Sequence, residues 1–416
     1  MQRAAAPAIR SGISVFMLAL VLALLLASTC AVGPASADAG FRKWIADFRV
    51  AAIRSGISRR TYDAVFAGIT EPDQDVIAAA SAQPEFTIDV WDYVDNRVNE
   101  PIIAKGRQLA AANRSWLTRI ENRFGVDRYI LLAIWSMETS YGEALQTNKG
   151  IRSVARSLAT LAYADNSRAK FARRQLIAAL KIVQNGDVSA KNLTGSWAGA
   201  MGHTQFIPTS YLAWAVDIDG DGHRNVWTSP EDALASSANL LNKNGWQTGK
   251  TWGYEVILPK GFNTRLEDKD GVTLAKWAKL GVKRAHGGAF PRPGDEAVLK
   301  MPAGAQGPAF LMLRNFYVLK RYNNADKYAL AVGLLADELA GYGGLVRDWP
   351  RGYERLDEAG RKEVQQRLQR LGYYDGEIDG MFGPSTKKAV IDFQKRSGVT
   401  PDGFPSQALL DRLRKG

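Results

Sequence analysis

The chain has a single cysteine, Cys30, among 416 residues. With no second thiol to pair, it must rely on a hydrophobic core rather than on disulfides. Long apolar stretches are missing after residue 40, where no segment could span a membrane as a helix. Basic runs interleaved with aromatic residues are missing too, which speaks against nucleic acid as a partner. Acidic residues are outnumbered, with 42 Asp and Glu against 54 Lys and Arg, for a formal charge of +12. That balance suits an anionic partner such as a cell-wall polymer or a membrane surface, with plain solubility as the alternative.

The N-terminus has its own character. Arg3 and Arg10 precede an apolar run from Val15 to Ala27, and Ala35-Ser36-Ala37 follows as a small-residue cleavage pattern. Together they predict a secretory signal over residues 1–37, with a retained anchor as the competing reading. Its removal takes two arginines and no acid, so the mature chain stays strongly basic and has no cysteine. Cys30 stands where a bacterial lipoprotein would carry its lipid, but Thr29 is large for the position before such a cut. Cleavage after Ala37 and a soluble mature chain are therefore expected.

With 46% hydrophobic and 23% charged residues, the rest can bury a substantial core in more than one domain. Helical spacing of Phe41, Trp44, Ile45, Phe48 and Ala52 predicts a first helix, and Ser58 reads as the N-cap of a second. A helix is expected from about Ile102 to Phe124, and two more carry Leu158 and Leu161, then Phe171 to Val183. From Tyr254 to Val298, short apolar runs between Gly and Pro turns predict a small β-containing subdomain. Residues 346–357 read as a linker, and residues 358–416 as a three-helix module of the kind that often binds rather than catalyses.

Five features bear on chemistry. Glu138 interrupts the apolar stretch YILLAIWSMETSYG on a predicted face with Leu131, Ile134, Met137 and Tyr141. A carboxylate so placed should have its neutral form favoured and could serve as a general acid. Arg168 belongs to a basic cluster that reads as a solvated helix face or as a dock for substrate carboxylates. Residues 195–211 are rich in Gly and Ala, so this is either a tight packing loop or a cleft wall with Ser196 and Gln205 as hydrogen-bonding groups. Asp217, Asp219 and Asp221, followed by the His223 carbonyl, match the start of a calcium loop. The twelfth position is Thr228 rather than Glu, so Asp232 would have to close the site; an Asp/Gly turn capping a helix from Pro230 is the alternative. Tyr322, Asn323 and Tyr328 gather aromatic and amide groups suited to a sugar, though an Asn here could simply cap a helix.

The segments METSYG and GAMGHTQFIPTSY, in that order, resemble those of the lysozyme-like lytic transglycosylases. The stretch AVDIDGDGH and the later YNN are similar to the membrane-bound lytic transglycosylase B branch, and EVQQRLQRLGYYDGEIDGMFGPSTKKAVIDFQKRSG resembles the peptidoglycan-binding domain 1 family. The resemblance implies a mainly α (α+β) fold with a lysozyme-like helical catalytic core over residues 38–345. It implies a periplasmic enzyme acting on peptidoglycan, Glu138 as the catalytic acid, and Ser196, Gln205, Tyr322, Asn323 and Tyr328 as sugar contacts, with Arg168 toward the stem peptide. No cofactor is expected for the chemistry; Asp217, Asp219, Asp221, His223 and Asp232 approximate a structural calcium loop. A monomer is expected, with the murein sacculus as partner. No second acid stands out near Glu138, which suits a reaction without activated water. A hydrolytic muramidase and a non-catalytic wall-binding protein are the rivals.

Overall fold

A computed structural model describes residues 34–81, 88–147, 150–351, 356–399, 401 and 403–415. The expected signal over 1–37, apart from its last four residues, lies outside them, as do Cys30 and the stretch Gln83-Pro84-Glu85-Phe86. Among the described residues no helix is long and apolar enough to cross a membrane.

Helices dominate, as the spacing predicts. The first runs Pro34–Arg54 and buries Phe41, Phe48 and Ala52. Ser58 Oγ caps the second, Arg59–Phe66, by accepting from Thr61 N at 3.1 Å. The single helix expected over 102–124 is instead two, Glu100–Ala112 and Arg114–Phe124. Asn113 explains the break: its Nδ2 donates to Leu109 O while its Oδ1 accepts from Trp116 Nε1. Those bonds stabilise a non-helical backbone (φ −108°, ψ 19°) at that residue.

Two helices form the frame of the helical core. Arg128–Thr139, the Glu138 helix, buries every residue from Ile130 to Ser136 and packs along Asp326–Ala340, the Tyr328 helix. A helix this apolar is covered on all sides, which holds its two ends at fixed positions.

Strands β1 (Arg152–Ser153) and β2 (Thr194–Gly195) pair antiparallel near the end of the Glu138 helix. Strands β3 (Gly253–Ile257), β4 (Lys283–Arg284), β5 (Val298–Lys300) and β6 (Ala309–Met312) form the expected subdomain as an antiparallel sheet ordered β4-β3-β6-β5. Its own core centres on Leu274, Trp277, Leu299 and Leu311.

The C-terminal module has three helices, Glu358–Arg370, Pro384–Arg396 and Gln407–Arg414, around Val364, Leu368, Val390 and Leu410. Leu371 ends the first of them and is 46% exposed. The module touches the subdomain through Lys387, whose ammonium lies 2.9 Å from the almost fully buried Glu267 carboxylate, and through Thr264 Oγ1, which donates to Pro401 O.

Candidate active site

Glu138 is delivered to a surface by an abrupt helix end. Asp127 starts the helix by accepting from Tyr129 N at 2.7 Å. Thr139 ends it, and Ser140, Tyr141 and Gly142 follow with φ of 50°, 60° and 89°. Two non-glycine residues in the left-handed region are costly and need outside support. Thr139 Oγ1 supplies it by donating to His203 O at 2.7 Å and accepting from Gly142 N at 3.2 Å. Trp135 Nε1 donates to His203 Nδ1 at 3.1 Å. Burial holds the His203 imidazole down at about 4, so it is neutral and able to accept that bond. Gly142 is obligatory here, since a Cβ would stand 2.7 Å from His203 Cε1.

The expected apolar burial of Glu138 is corrected by this geometry. Leu131 and Ile134 are fully buried, but Glu138 is only part-buried, because it lies one residue from the helix end and faces a cleft. Tyr328 Oη donates to Glu138 Oε1 at 2.6 Å. Tyr322 stacks parallel to Tyr328 with ring centroids 6.4 Å apart, and its hydroxyl contacts Thr204 O and Ser237 Oγ. Burial, with the neighbouring Glu138 carboxylate second, raises both phenols well above their ordinary range. Tyr328 therefore keeps its proton and acts as a donor.

The cleft encloses about 730 Å³, and its lining includes Glu138, Ser196, Gln205, Asp187, Asp221 and Trp227. Both readings of the Gly/Ala-rich loop hold at once. Gly202 packs so tightly that a Cβ would lie 2.1 Å from Val226 O, while Ser196 and Gln205 face the cleft. Ser196 Oγ accepts from Ala200 N, and Gln205, at φ 49°, donates from Nε2 to Gly202 O.

Other expected site residues lie elsewhere. Asn323 is exposed at a helix end, where its Oδ1 accepts from Ala325 N, and it is not among the described residues lining the cleft. Arg168 pairs with Asp165 at 2.5 Å and donates to Ala80 O, also away from the described cleft lining. Residues not singled out from the sequence line the cleft as well. Trp227 donates from Nε1 to Thr194 O, and Asp187 is clamped by Arg224 at 2.6 and 3.0 Å. A tryptophan directly after an acidic loop was the available signal for the first; the second has no local one.

Oxygen ligands of Asp217, Asp219, Asp221 and Asp232 lie within 4.8 Å of one another. Four carboxylates are the hard donor set that suits calcium. Asp232 closes the group from a buried position, accepting from Ile218 N and Asn225 N, whereas the His223 side chain is outside it. Backbone N–H groups, Gly220 first, hold the Asp217 carboxyl below its usual range, so it is charged and ready for a cation.

Comparison with known proteins places this geometry. Residues 40–337 match the transglycosylase SLT domain family, and residues 357–413 match a peptidoglycan binding domain family. Membrane-bound lytic murein transglycosylase B of Escherichia coli is 32% identical over 235 residues, which are 55% of this chain and 60% of that protein. SltB3 of Pseudomonas aeruginosa, solved with NAG-anhNAM-pentapeptide and with NAG-NAM-pentapeptide, is 45% identical. That match covers 90% of this chain and 99% of SltB3 with a TM-score of 0.84. The calcium complex of the E. coli lytic transglycosylase Slt35 is 25% identical over 73% of this chain and 93% of its own, with a TM-score of 0.59. With nearly 300 consecutive residues matched and a helix end that presents Glu138 to an open cleft, the chain belongs to the transglycosylase SLT domain family.

Proposed function

We propose that this chain is a lytic transglycosylase of peptidoglycan, cleaving the β-1,4 bond between N-acetylmuramic acid and N-acetylglucosamine without water. The observation that carries the reading is the single catalytically placed carboxylate. Among the described residues, the other acids lining the cleft are Asp187 and Asp221. Asp187 is engaged by Arg224, and Asp221 belongs to the acidic loop. Glu143, the acid nearest Glu138 in sequence, pairs with Lys105. A hydrolase of the ordinary kind needs two carboxylates.

With one, the same residue acts twice. Tyr328 donates to Oε1 and so orients the carboxyl that carries the proton. Glu138 gives that proton to the glycosidic oxygen as the bond to the anomeric carbon breaks, with the muramic N-acetyl oxygen assisting. Its carboxylate then takes the proton of the sugar's own 6-hydroxyl, whose oxygen closes on the anomeric carbon to form the 1,6-anhydro ring. Holding nucleophile and electrophile in one molecule supplies the proximity. Ser196 and Gln205 hydrogen-bond the sugars, Tyr322 supports the cleft wall, and the acidic loop takes calcium as a structural ion. The enzyme works in the periplasm as a monomer on the sacculus, with residues 358–416 holding it to the wall.

The test is Glu138→Gln on purified sacculi. Loss of soluble fragments by about 10³-fold with an unchanged melting curve is expected, in the range for removing a general acid–base. Fragment release by the variant at the wild-type rate would remove Glu138 from the reaction, and binding to sacculi with no fragment release by the unmutated chain would make it a wall-binding protein.

A further inference from the structure

The Tyr328 helix begins without a cap of its own. Ala325 stands at its N-cap position and offers no side chain to the first free N–H groups. Tyr328 lies in this first turn, and its hydroxyl holds Glu138 at 2.6 Å. The turn is fixed from outside, through the two residues that precede Tyr328. Asp326 and Lys327 each lead, by different contacts, to the C-terminal module.

Asp326 begins a chain of ion pairs. Lys320 Nζ lies 2.6 Å from its Oδ1, and Lys300 Nζ lies 3.5 Å from its Oδ2. Lys300, on β5, also pairs with Asp268 at 2.5 Å. Asp268 and Glu267 both meet Lys387, on the second helix of the module, at 3.6 and 2.9 Å. Backbone bonds make the middle of this chain one piece: Asp268 N donates to Leu299 O, and Glu267 Oε1 accepts from Met301 N. Asp268 holds a left-handed φ of 63°, which a non-glycine residue keeps only with outside support. Exposed ion pairs are individually weak. The anchor is Glu267, whose buried carboxylate has Lys387 as its one ion-pair partner among the described residues. Lys327 follows a separate route. Its ammonium lies 5.2 Å from the centre of the Tyr93 ring, in the helix Val90–Asp95. Trp91 of that helix packs on Phe404 of the module, with ring centroids 6.0 Å apart.

We infer that the docked module positions Tyr328, and through it Glu138, with Asp326, Lys300 and Lys387 as positioning residues for the proton transfers. The inference rests on the proposed reaction and gives the module a task besides holding the wall. A module that served only as an anchor would act on affinity for the sacculus. One that sets the first turn of the Tyr328 helix acts on turnover at saturation, because the Tyr328 hydroxyl orients the carboxyl that reacts.

The experiment measures kcat and KM of the full chain on a soluble tetrasaccharide of alternating N-acetylglucosamine and N-acetylmuramic acid. Lys387→Met combined with Glu267→Gln removes the anchor without leaving a buried charge. Lys300→Met breaks the middle of the chain and reports even if the first variant misfolds. Each is expected to lower kcat by about three- to tenfold, while KM and retention on sacculi stay within about twofold of the wild type. Lys387→Arg, which keeps the pair with Glu267, should retain kcat. In a Tyr328→Phe background the same substitutions should cost less than about twofold more, because their effect runs through the lost hydroxyl. Wild-type kcat in both variants, or an undiminished loss in the Tyr328→Phe background, overturns the inference. A wild type that leaves the tetrasaccharide uncut overturns the proposed reaction and this inference with it, whereas unaffected variants of an active wild type overturn this inference alone.

Discussion

Tyr328 is the residue that makes Glu138 more than an acid at a helix end. Its hydroxyl meets Oε1 at 2.6 Å from a phenol kept protonated by burial, so it orients the carboxyl in both of its protonation states. Tyr328→Phe should lower kcat by roughly tenfold, the worth of one hydrogen bond to a charged group, while KM and the melting temperature barely move. An unchanged kcat would reduce Tyr328 to packing. Much of this was legible in sequence: an acid interrupting YILLAIWSMETSYG, and a Tyr/Asn cluster far downstream. What could not be read was which members meet. Tyr322 and Tyr328 converge because the Tyr328 helix packs along the Glu138 helix, while Asn323 ends the preceding helix and turns its Oδ1 to Ala325 N, three residues before the Tyr328 helix begins. The buried-acid argument also misplaced Glu138, because periodicity locates a face and does not show where the helix stops.

At the scale of elements, the site is a helix end locked to a loop. The run Ser140-Tyr141-Gly142 is held by Thr139 and His203, and the same loop reaches the acidic segment through His203 N, which donates to Val226 O at 2.9 Å. A cation in the acidic loop would therefore stiffen one wall of the cleft. Added calcium should raise the melting temperature, by the equivalent of about 2.7 kcal/mol at a hundredfold excess over Kd, and Asp219→Ala should abolish the rise. A melting temperature indifferent to calcium in the wild type would leave the loop as a self-capped turn. Sequence spacing supplied three of the four acids and proposed the fourth; the break at Asn113, by contrast, came from side-chain bonds that compete with the backbone and leave no trace in apolar periodicity.

For the whole molecule, two part-buried groups tilt stability in opposite directions with pH. His203 has its folded pKa lowered to about 4 from an ordinary 6.5, so the unfolded chain binds the extra proton between these values. Its contribution is complete above about pH 6.5 and is lost as pH falls through 4. Asp337 has its folded pKa raised to about 7 from 3.8, so its cost grows as pH rises between them. Urea midpoints should show Asp337→Asn gaining on the wild type by roughly 4 kcal/mol at pH 8 and little at pH 4; a gain that does not depend on pH would contradict the assignment. The module is also part of this balance. Lys387 neutralises the buried Glu267, so deleting residues 358–416 should lower the melting temperature of the remainder besides weakening retention on sacculi. Equal retention would end the binding role of the module.

The central claim is that one carboxylate performs both proton transfers and no water enters the product. Digestion of sacculi in ¹⁸O-enriched water, followed by mass spectrometry of the released fragments, tests it most directly. The account predicts 1,6-anhydro-muropeptides with no incorporated label; fragments one water heavier and carrying ¹⁸O at the reducing end would make the enzyme a hydrolase and contradict it.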